Sequence, residues 1–179
     1  MRVITGTARG RRLQTLEGED VRPTTDRVKE AIFSIIQFEV EGRRFLDLFA
    51  GSGQMGIEAL SRGAASAVFV DVSRQAVDVV ARNLKETGFA DRARVVRGEY
   101  TAFLMQTGER FDIAFLDPPY KAGLLPEALR QTEKVMQEHG VILCEHPEEV
   151  ELPATVGRFS AVRRYRYGKI FVTMYRKEA

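Results

Sequence analysis

The chain has 179 residues, 44% of them hydrophobic, and a net charge of +2. That suits one globular domain with a real core and excludes a disordered polymer. No apolar run approaches the roughly 20 residues of a membrane span, and the charged start MRVITGTARGRRL lacks the apolar centre of a secretory signal.

In chain order, RVITG and GRRLQTL can pair as a hairpin turning around Thr7–Arg9, so that residues 1–20 form a basic extension and 21–179 the main domain. The linker EGEDVRP follows. In TTDRVKEAIFSIIQF, Val28, Ile32, Ile35 and Ile36 recur at helical spacing, with Thr24, Thr25 or Asp26 available as N-cap. From Arg44 strands and helices alternate. RFLDLFA, AVFVDV, ARVVRG, FDIAFLD and VILCEH read as strands. The segments opening at GSGQMG, SRQAVDVV, EYTAFLM and LLPEALRQTEKVMQEHG read as helices, with Ser73 a cap and Gly88 a stop. FSAVRRYRYG and KIFVTMYRK close the chain as two strands joined near Gly168. Alternation of this kind predicts an α/β, Rossmann-like fold: a mainly parallel, seven-stranded sheet with an antiparallel C-terminal pair. The single cysteine, Cys144 in VILCEH, cannot make an internal disulfide. It reads as a small buried hydrophobe in a reducing, cytoplasmic setting rather than a catalytic thiol.

Charge is segregated. Residues 1–16 hold four arginines and no acid, and residues 157–177 hold seven bases and no acid. The two ends carry +11, which leaves −9 on the rest. Basic ends of this kind suit a polyanion. In RRYRYGK the bases interleave with aromatics, as on nucleic-acid surfaces. Arg9, Arg11, Arg12, Arg166 and Lys169 are the candidate nucleic-acid contacts.

Ligands of such sheets bind beyond the carboxyl ends of the strands, at the switch in strand order. Asp47 to Gly53, Asp71, Gly98 to Tyr100 and Asp117 to Tyr120 all end predicted strands. Gly51, Gly53 and Gly56 fit G-x-G-x-x-G, and Asp71 lies twenty residues after Gly51, which alone would suggest NAD. Asp47 argues otherwise, because an acid there repels a pyrophosphate and attracts an amino group. S-adenosylmethionine has such a group, a cationic sulfonium and no phosphate. Asp71 then accepts from the ribose hydroxyls, and Glu99 and Tyr100 lie toward the adenine. In Asp117-Pro118-Pro119-Tyr120 two prolines stiffen an arm that ends in an aromatic ring. The Asp117 carboxylate and the Pro118 carbonyl can accept from the N–H groups of an exocyclic amine, and Tyr120 can stack on its base. Methyl transfer by positioning and electrostatics requires no metal.

DLFAGSG followed by DPPY resembles the class I S-adenosylmethionine-dependent methyltransferases that act on exocyclic amines. With MRVITGTARGRRL, RPTTDRVKEAIFSII and YRYGKIFVTMYRK, the resemblance narrows to the RsmD family and spans nearly the whole chain. It implies a guanine-N2 methyltransferase of 16S ribosomal RNA, acting on the small subunit or an assembly intermediate as a monomer, away from any membrane. It also implies that Arg22, Pro23 and Thr24 pack against the methionine end of the cofactor, that Asp47, Phe49, Gly51 and Gly53 form its main turn, that Asp71 binds ribose, and that the N-terminal hairpin helps hold RNA. Two positions depart from the family pattern. Gly98-Glu99-Tyr100 replaces an Asp/Asn-Ala type of sequence, and Ile170 follows YGK in place of a small hydroxyl residue. A DNA adenine-N6 methyltransferase, a non-catalytic RNA-binding assembly factor and an NAD oxidoreductase are the rival readings.

Overall fold

The protein is described by a computed structural model over residues 1–17, 24–119 and 123–178. The readings placed on Arg22, Pro23 and Tyr120 lie outside these described residues. The first helix, α1 (Asp26–Ile35), begins where Thr25 caps it, its hydroxyl accepting the Val28 N–H at 3.3 Å. Alternation then runs β1 (Arg44–Leu48), α2 (Gln54–Ser61), β2 (Ser66–Asp71), α3 (Arg74–Thr87), β3 (Ala93–Arg97), α4 (Tyr100–Gln106), β4 (Phe111–Leu116), α5 (Leu125–Glu133) and β5 (Met136–Pro147). The chain closes with β6 (Thr155–Val156), β7 (Phe159–Tyr167) and β8 (Ile170–Lys177). Helix α3 has the expected ends: Ser73 accepts the Ala76 N–H, and Gly88 stops it in a left-handed conformation.

The described strands form one sheet in the order β3-β2-β1-β4-β5-β8-β7-β6. The first five are parallel, and β8, β7 and β6 add antiparallel. Near-continuous burial along β1, β2 and β4 reflects cover on both faces. One face packs on α1, α2 and α3 through Ile32, Phe33, Ile57, Leu60, Val80 and Leu84. The other packs on α4 and α5 through Phe103, Leu104, Leu125 and Leu129. Gly56 lets α2 close on β2, for a Cβ there would sit 2.3 Å from the Phe69 ring.

Two predicted features are corrected. The sheet has eight described strands rather than seven, because Thr155 and Val156, which no predicted strand included, pair with Ser160 and Phe159. The helix read through LLPEALRQTEKVMQEHG ends at Glu133, and Met136 already belongs to β5. Tertiary pairing overrides local propensity here. The Phe111 N–H donates to the Val135 carbonyl at 2.9 Å, Met136 pairs with Phe111, and both Val135 and Met136 are buried. Gly140 then brings the strand close to β4, a Cβ there lying 2.9 Å from the Asp112 carbonyl.

At the N-terminus the expected pairing exists as one antiparallel bridge, Arg2 with Arg12, supported by Val3 N–H to Arg11 O and Leu13 N–H to Met1 O. This arm lies on α2. Val3, Ala8 and Leu13 are buried in the first core face. Its backbone is held by fully buried Glu58, whose oxygens accept the N–H groups of Ile4 (2.8 Å) and Thr5 (3.0 Å). Glu58 also pairs with Arg62 (2.9 Å) and faces Lys29, which donates to the Arg2 carbonyl at 2.6 Å. Burial pushes the Lys29 ammonium below its ordinary pKa, while Glu58 and Asp26 hold it up. Removing one member leaves buried charge and unpaired amides. Glu58→Ala is therefore expected to destabilise the protein by about 3–5 kcal/mol, read from urea midpoints, and to expose the arm to proteolysis. A change comparable to a surface substitution would place the arm's anchorage elsewhere.

Candidate active site

Strand order switches at β1, whose chain leads to β2 on one side while β4 lies on the other. The carboxyl ends of β1 and β4 therefore border a crevice. After β1 the chain turns through Phe49 (φ 65°), Gly51 (φ 59°) and Gly53 (φ 80°). Left-handed backbone at a phenylalanine is strained, and such strain collects at functional sites. Phe49 is held by Tyr100, ring centroids 5.2 Å apart. Tyr100 is buried at the first turn of α4, while Glu99 before it is exposed.

Asp71 clamps this turn. Its Oδ2 accepts the Gly51 N–H and its Oδ1 the Ser73 N–H, both at 2.9 Å. Asp47, 2% exposed, accepts the Gly56 N–H at 3.0 Å, so it also fixes the start of α2. Burial, opposed by that hydrogen bond and reinforced by Asp71, raises its pKa to about 8. Asn83 of α3 ties the turn down from below, donating to the Ser52 and Gln14 carbonyls. Thr24 is buried: its carbonyl accepts from Gln54, and its hydroxyl donates to Glu145 Oε1 at 3.2 Å.

Across the crevice, β4 leads directly into Asp117, followed by buried Pro118 and exposed Pro119. Burial, the neighbouring Glu145 carboxyl and, more weakly, Asp47 push the Asp117 carboxyl well above the ordinary range. Among the described residues Asp47, Asp71 and Asp117 form no ion pair, and Lys29, the fully buried cation, is committed to Asp26 and Glu58. Among the described residues, the edge thus gathers Asp47, Asp71 and Asp117 with no ion pair between them and a described cation. Glu145, Gln54 and Asn83 were not singled out from the sequence. A signal for Glu145 was present, since RFLD, FVD, AFLD and ILCE each end a core strand in an acid. Cys144 is fully buried, which pushes its thiol up and leaves it inert.

Around this edge the bases divide into two groups. Arg158, Arg176 and Lys177 are spent on Glu133, Glu39 and Glu138. Arg9, Arg11, Arg12, Arg163, Arg164, Arg166 and Lys169 are exposed and make no ion pair among the described residues. Because β8 pairs Ile170 with Pro147 at the end of β5, the β7–β8 turn with Arg166 and Lys169 rises at the same edge as Asp117. Tyr165 and Tyr167 lie parallel there, 6.5 Å apart at 5°. On the arm side, a groove of about 630 Å³ is lined by Arg2, Arg12, Leu13 and Asp26 and by Met1, which contacts Ser52 of the glycine turn.

A doubly wound sheet with an antiparallel C-terminal hairpin, and with acids around a glycine turn at its switch point, defines the class I methyltransferase fold. The family described as Conserved hypothetical protein 95 matches residues 1–176. YlbH of Bacillus subtilis, provisionally named an rRNA methyltransferase, is 44% identical over 182 residues, covering 99% of each chain. Ribosomal RNA small subunit methyltransferase D of Escherichia coli K12 is 36% identical over all of this chain and 91% of its own. The solved structure of Escherichia coli YhhF, provisionally described as a methyltransferase, superposes with a TM-score of 0.86 at 36% identity, covering 100% of this chain and 98% of that one. The chain belongs to the RsmD family.

The raised Asp47 has a stability signature. A carboxyl whose folded pKa lies above its unfolded value stabilises most at low pH, and that contribution is lost as pH rises from 3.8 through about 8. Asp47→Asn, which can still accept from Gly56, is expected to flatten the decline of the ligand-free protein across that window in urea titrations. Parallel curves for variant and wild type would show that Asp47 is charged at little cost.

Proposed function

We propose that this chain transfers a methyl group from S-adenosylmethionine to the exocyclic N2 amine of a guanine in 16S ribosomal RNA, within the small subunit or an assembly intermediate, as a cytoplasmic monomer. One observation carries the reading: the Asp117-Pro118 arm at the tip of β4 faces the acid-flanked glycine turn of β1 across the switch point. The names of the family relatives support the reaction class and the RNA.

The residues fit the cofactor. The donor set is acidic where the ligand is cationic, and the position of a Gly51 Cβ is open apart from Leu16 at 3.9 Å. When bound, S-adenosylmethionine supplies an electrophilic methyl group on a sulfonium. Asp47 would hold the amino group, and a cation there favours its charged form. Asp71, fixed by two backbone N–H groups, keeps lone pairs for the ribose hydroxyls. Thr24, Phe49 and Gly53 shape the turn, and Glu99 and Tyr100 border the adenine side. Arg22 and Pro23, outside the described residues, would pack against the methionine end as the family pattern implies.

Asp117 and the Pro118 carbonyl would accept from the amine N–H groups, favouring a pyramidal nitrogen with its lone pair available. Pro119 stiffens the arm, and Tyr120 would offer a stacking face worth roughly 1–3 kcal/mol, against a few kcal/mol to flip a base. Arg9, Arg11 and Arg12 on the 1–20 extension, with Arg166 and Lys169 across the edge, would hold the phosphates on both sides of that base.

Labelled S-adenosylmethionine incubated with small ribosomal subunits is expected to yield N2-methylguanosine on nucleoside analysis. N6-methyladenosine from DNA, or no product, would overturn the reading. Asp117→Ala should lower the single-turnover rate at least about 100-fold with cofactor affinity by calorimetry near wild type. Turnover close to wild type would remove Asp117 from the chemistry. Neutralising Arg9, Arg11 and Arg12 together should flatten the salt dependence of RNA affinity, the logarithmic slope falling by about 2–3. An unchanged slope would take the arm out of the RNA site.

A further inference from the structure

Tyr165 and Tyr167 take no part in the chemistry above, yet the register of the sheet aims them toward it. Strand β6 pairs with Phe159 and Ser160, so from Arg163 to Tyr167 β7 is the outermost described strand. Its pairing with β8 shifts by one residue between Ala161 and Arg163. Such a shift exchanges the two faces of a strand. Phe159 packs in the core under α4 and α5, and an unbroken period of two would put Arg163, Tyr165 and Tyr167 on that face as well. Instead Tyr165 and Tyr167 pack against the opposite core, on the face that carries α1. The Asp117 arm leaves the sheet on this same side, for Asp117 lies two residues after Phe115, which is buried there. One row of residues crosses the sheet between them. Tyr165 pairs with Val172, Val172 with Glu145, and Glu145 lies one step past the Leu116–Cys144 pair, beside Asp117. Three strand spacings separate Tyr165 from Asp117, about 14 Å.

Along β7 the flat groups follow one another. The Arg163 guanidinium lies 5.1 Å from the Tyr165 ring centroid, and the Tyr165 and Tyr167 rings are parallel, 6.5 Å apart at 5°. Both rings are half-buried, so each rests on the core and still meets solvent. Arg164 and Arg166 turn to the other face, over Phe171 at 4.0 and 5.7 Å. We propose that Tyr165 and Tyr167, with the Arg163 guanidinium, form a stacking site for an unpaired RNA base that flanks the flipped guanine. The occupant follows from charge. Residues 157–177 contain no acid, and Arg163, Arg164, Arg166 and Lys169 make no ion pair among the described residues. A polyanion is drawn to such a strand, and an aromatic face takes any base, because every base has a π-face. The division of β7 into a tyrosine face and an arginine face suits a polymer whose bases turn toward α1 while its phosphates pass over the sheet edge. The site rests on the methyl-transfer reading, which supplies both the RNA and the flipped base.

The test uses the full chain and short single-stranded oligoribonucleotides with one guanine among uridines, a fluorescent purine being placed at each nearby position in turn. Binding of wild type should quench the fluorescence at a position beside the guanine. A wild-type complex that leaves every position unquenched overturns the site without any variant. Tyr165→Leu and Tyr167→Leu keep an apolar contact with the core and remove the π-face. Each should weaken RNA binding by about 5- to 100-fold, the worth of one base–aromatic stack, and abolish the quench. Tyr165→Phe and Tyr167→Phe should retain both. The salt slope of affinity should be the same in all four variants, because no phosphate contact is lost. Urea midpoints near wild type confirm that the leucine variants fold. Leucine variants that bind and quench as wild type does overturn the stacking site, and so does a loss of affinity that comes with a shallower salt slope. A quench lost in the leucine variants of a chain that forms no N2-methylguanosine keeps the site and overturns the methyl-transfer reading instead.

Discussion

Parallel strands deliver their last residues to one edge, and here four neighbouring strands deliver an acid each. Asp47, Asp71, Asp117 and Glu145 lie at or next to the carboxyl ends of β1, β2, β4 and β5, and burial pushes Asp47 and Asp117 toward protonation. Water is too scarce at Asp47 to solvate its charge, and among the described residues the fully buried lysine is held elsewhere by Glu58. Asp47 is thus a buried acid with a backbone N–H as its described partner. It gains from a cation that arrives from outside, which ties the fold to the chemistry of its ligand more directly than any single contact does.

The glycine turn works under the same constraint. Asp71 uses both oxygens on backbone N–H groups, Asp47 uses one on the first turn of α2, and Asn83 anchors Ser52 from α3. Each side chain that would meet a ligand therefore also sets the shape of the turn. A substitution at Asp71 or Asp47 acts through geometry as well as through a lost contact. Asp47 serves the helix start and a ligand together: the Gly56 N–H engages one oxygen and leaves the other for further work.

Much of the fold was legible because its determinants are local. Period-2 and period-3.6 patterns, caps at Ser73 and Gly88, and acids at the ends of apolar runs all lie within a few residues of one another. What was missed depends on distant partners. The end of α5 is set by Phe111, about 25 residues away in sequence, because pairing with β4 draws Met136 into a strand. The two-residue strand β6 exists only because β7 returns beside it. Glu58 looks like one more exposed acid on an amphipathic helix, and only the arm folding back over α2 makes it the buried acceptor of two N–H groups. Glu145 ends the same kind of apolar run as Asp117, but its place next to Asp117 is set by the register of β5 on β4.

The segregation of charge noted in the composition has a spatial meaning. The bases near the ends that meet acids, Arg158, Arg176 and Lys177, bind the sheet's last strands to α5, to the start of β5 and to the loop after α1. Those left over lie on the arm and on the β7–β8 turn, flanking the acidic crevice rather than filling it. A polyanion drawn to both flanks would be repelled from the crevice between them. The repulsion falls once a cation occupies the crevice. Order of binding then follows from electrostatics: a cationic ligand first, the polyanion second, with the neutral base as the one part of the polymer able to enter among the carboxyls. A phosphate would be excluded from that crevice for the same reason that Asp47 disfavoured a dinucleotide.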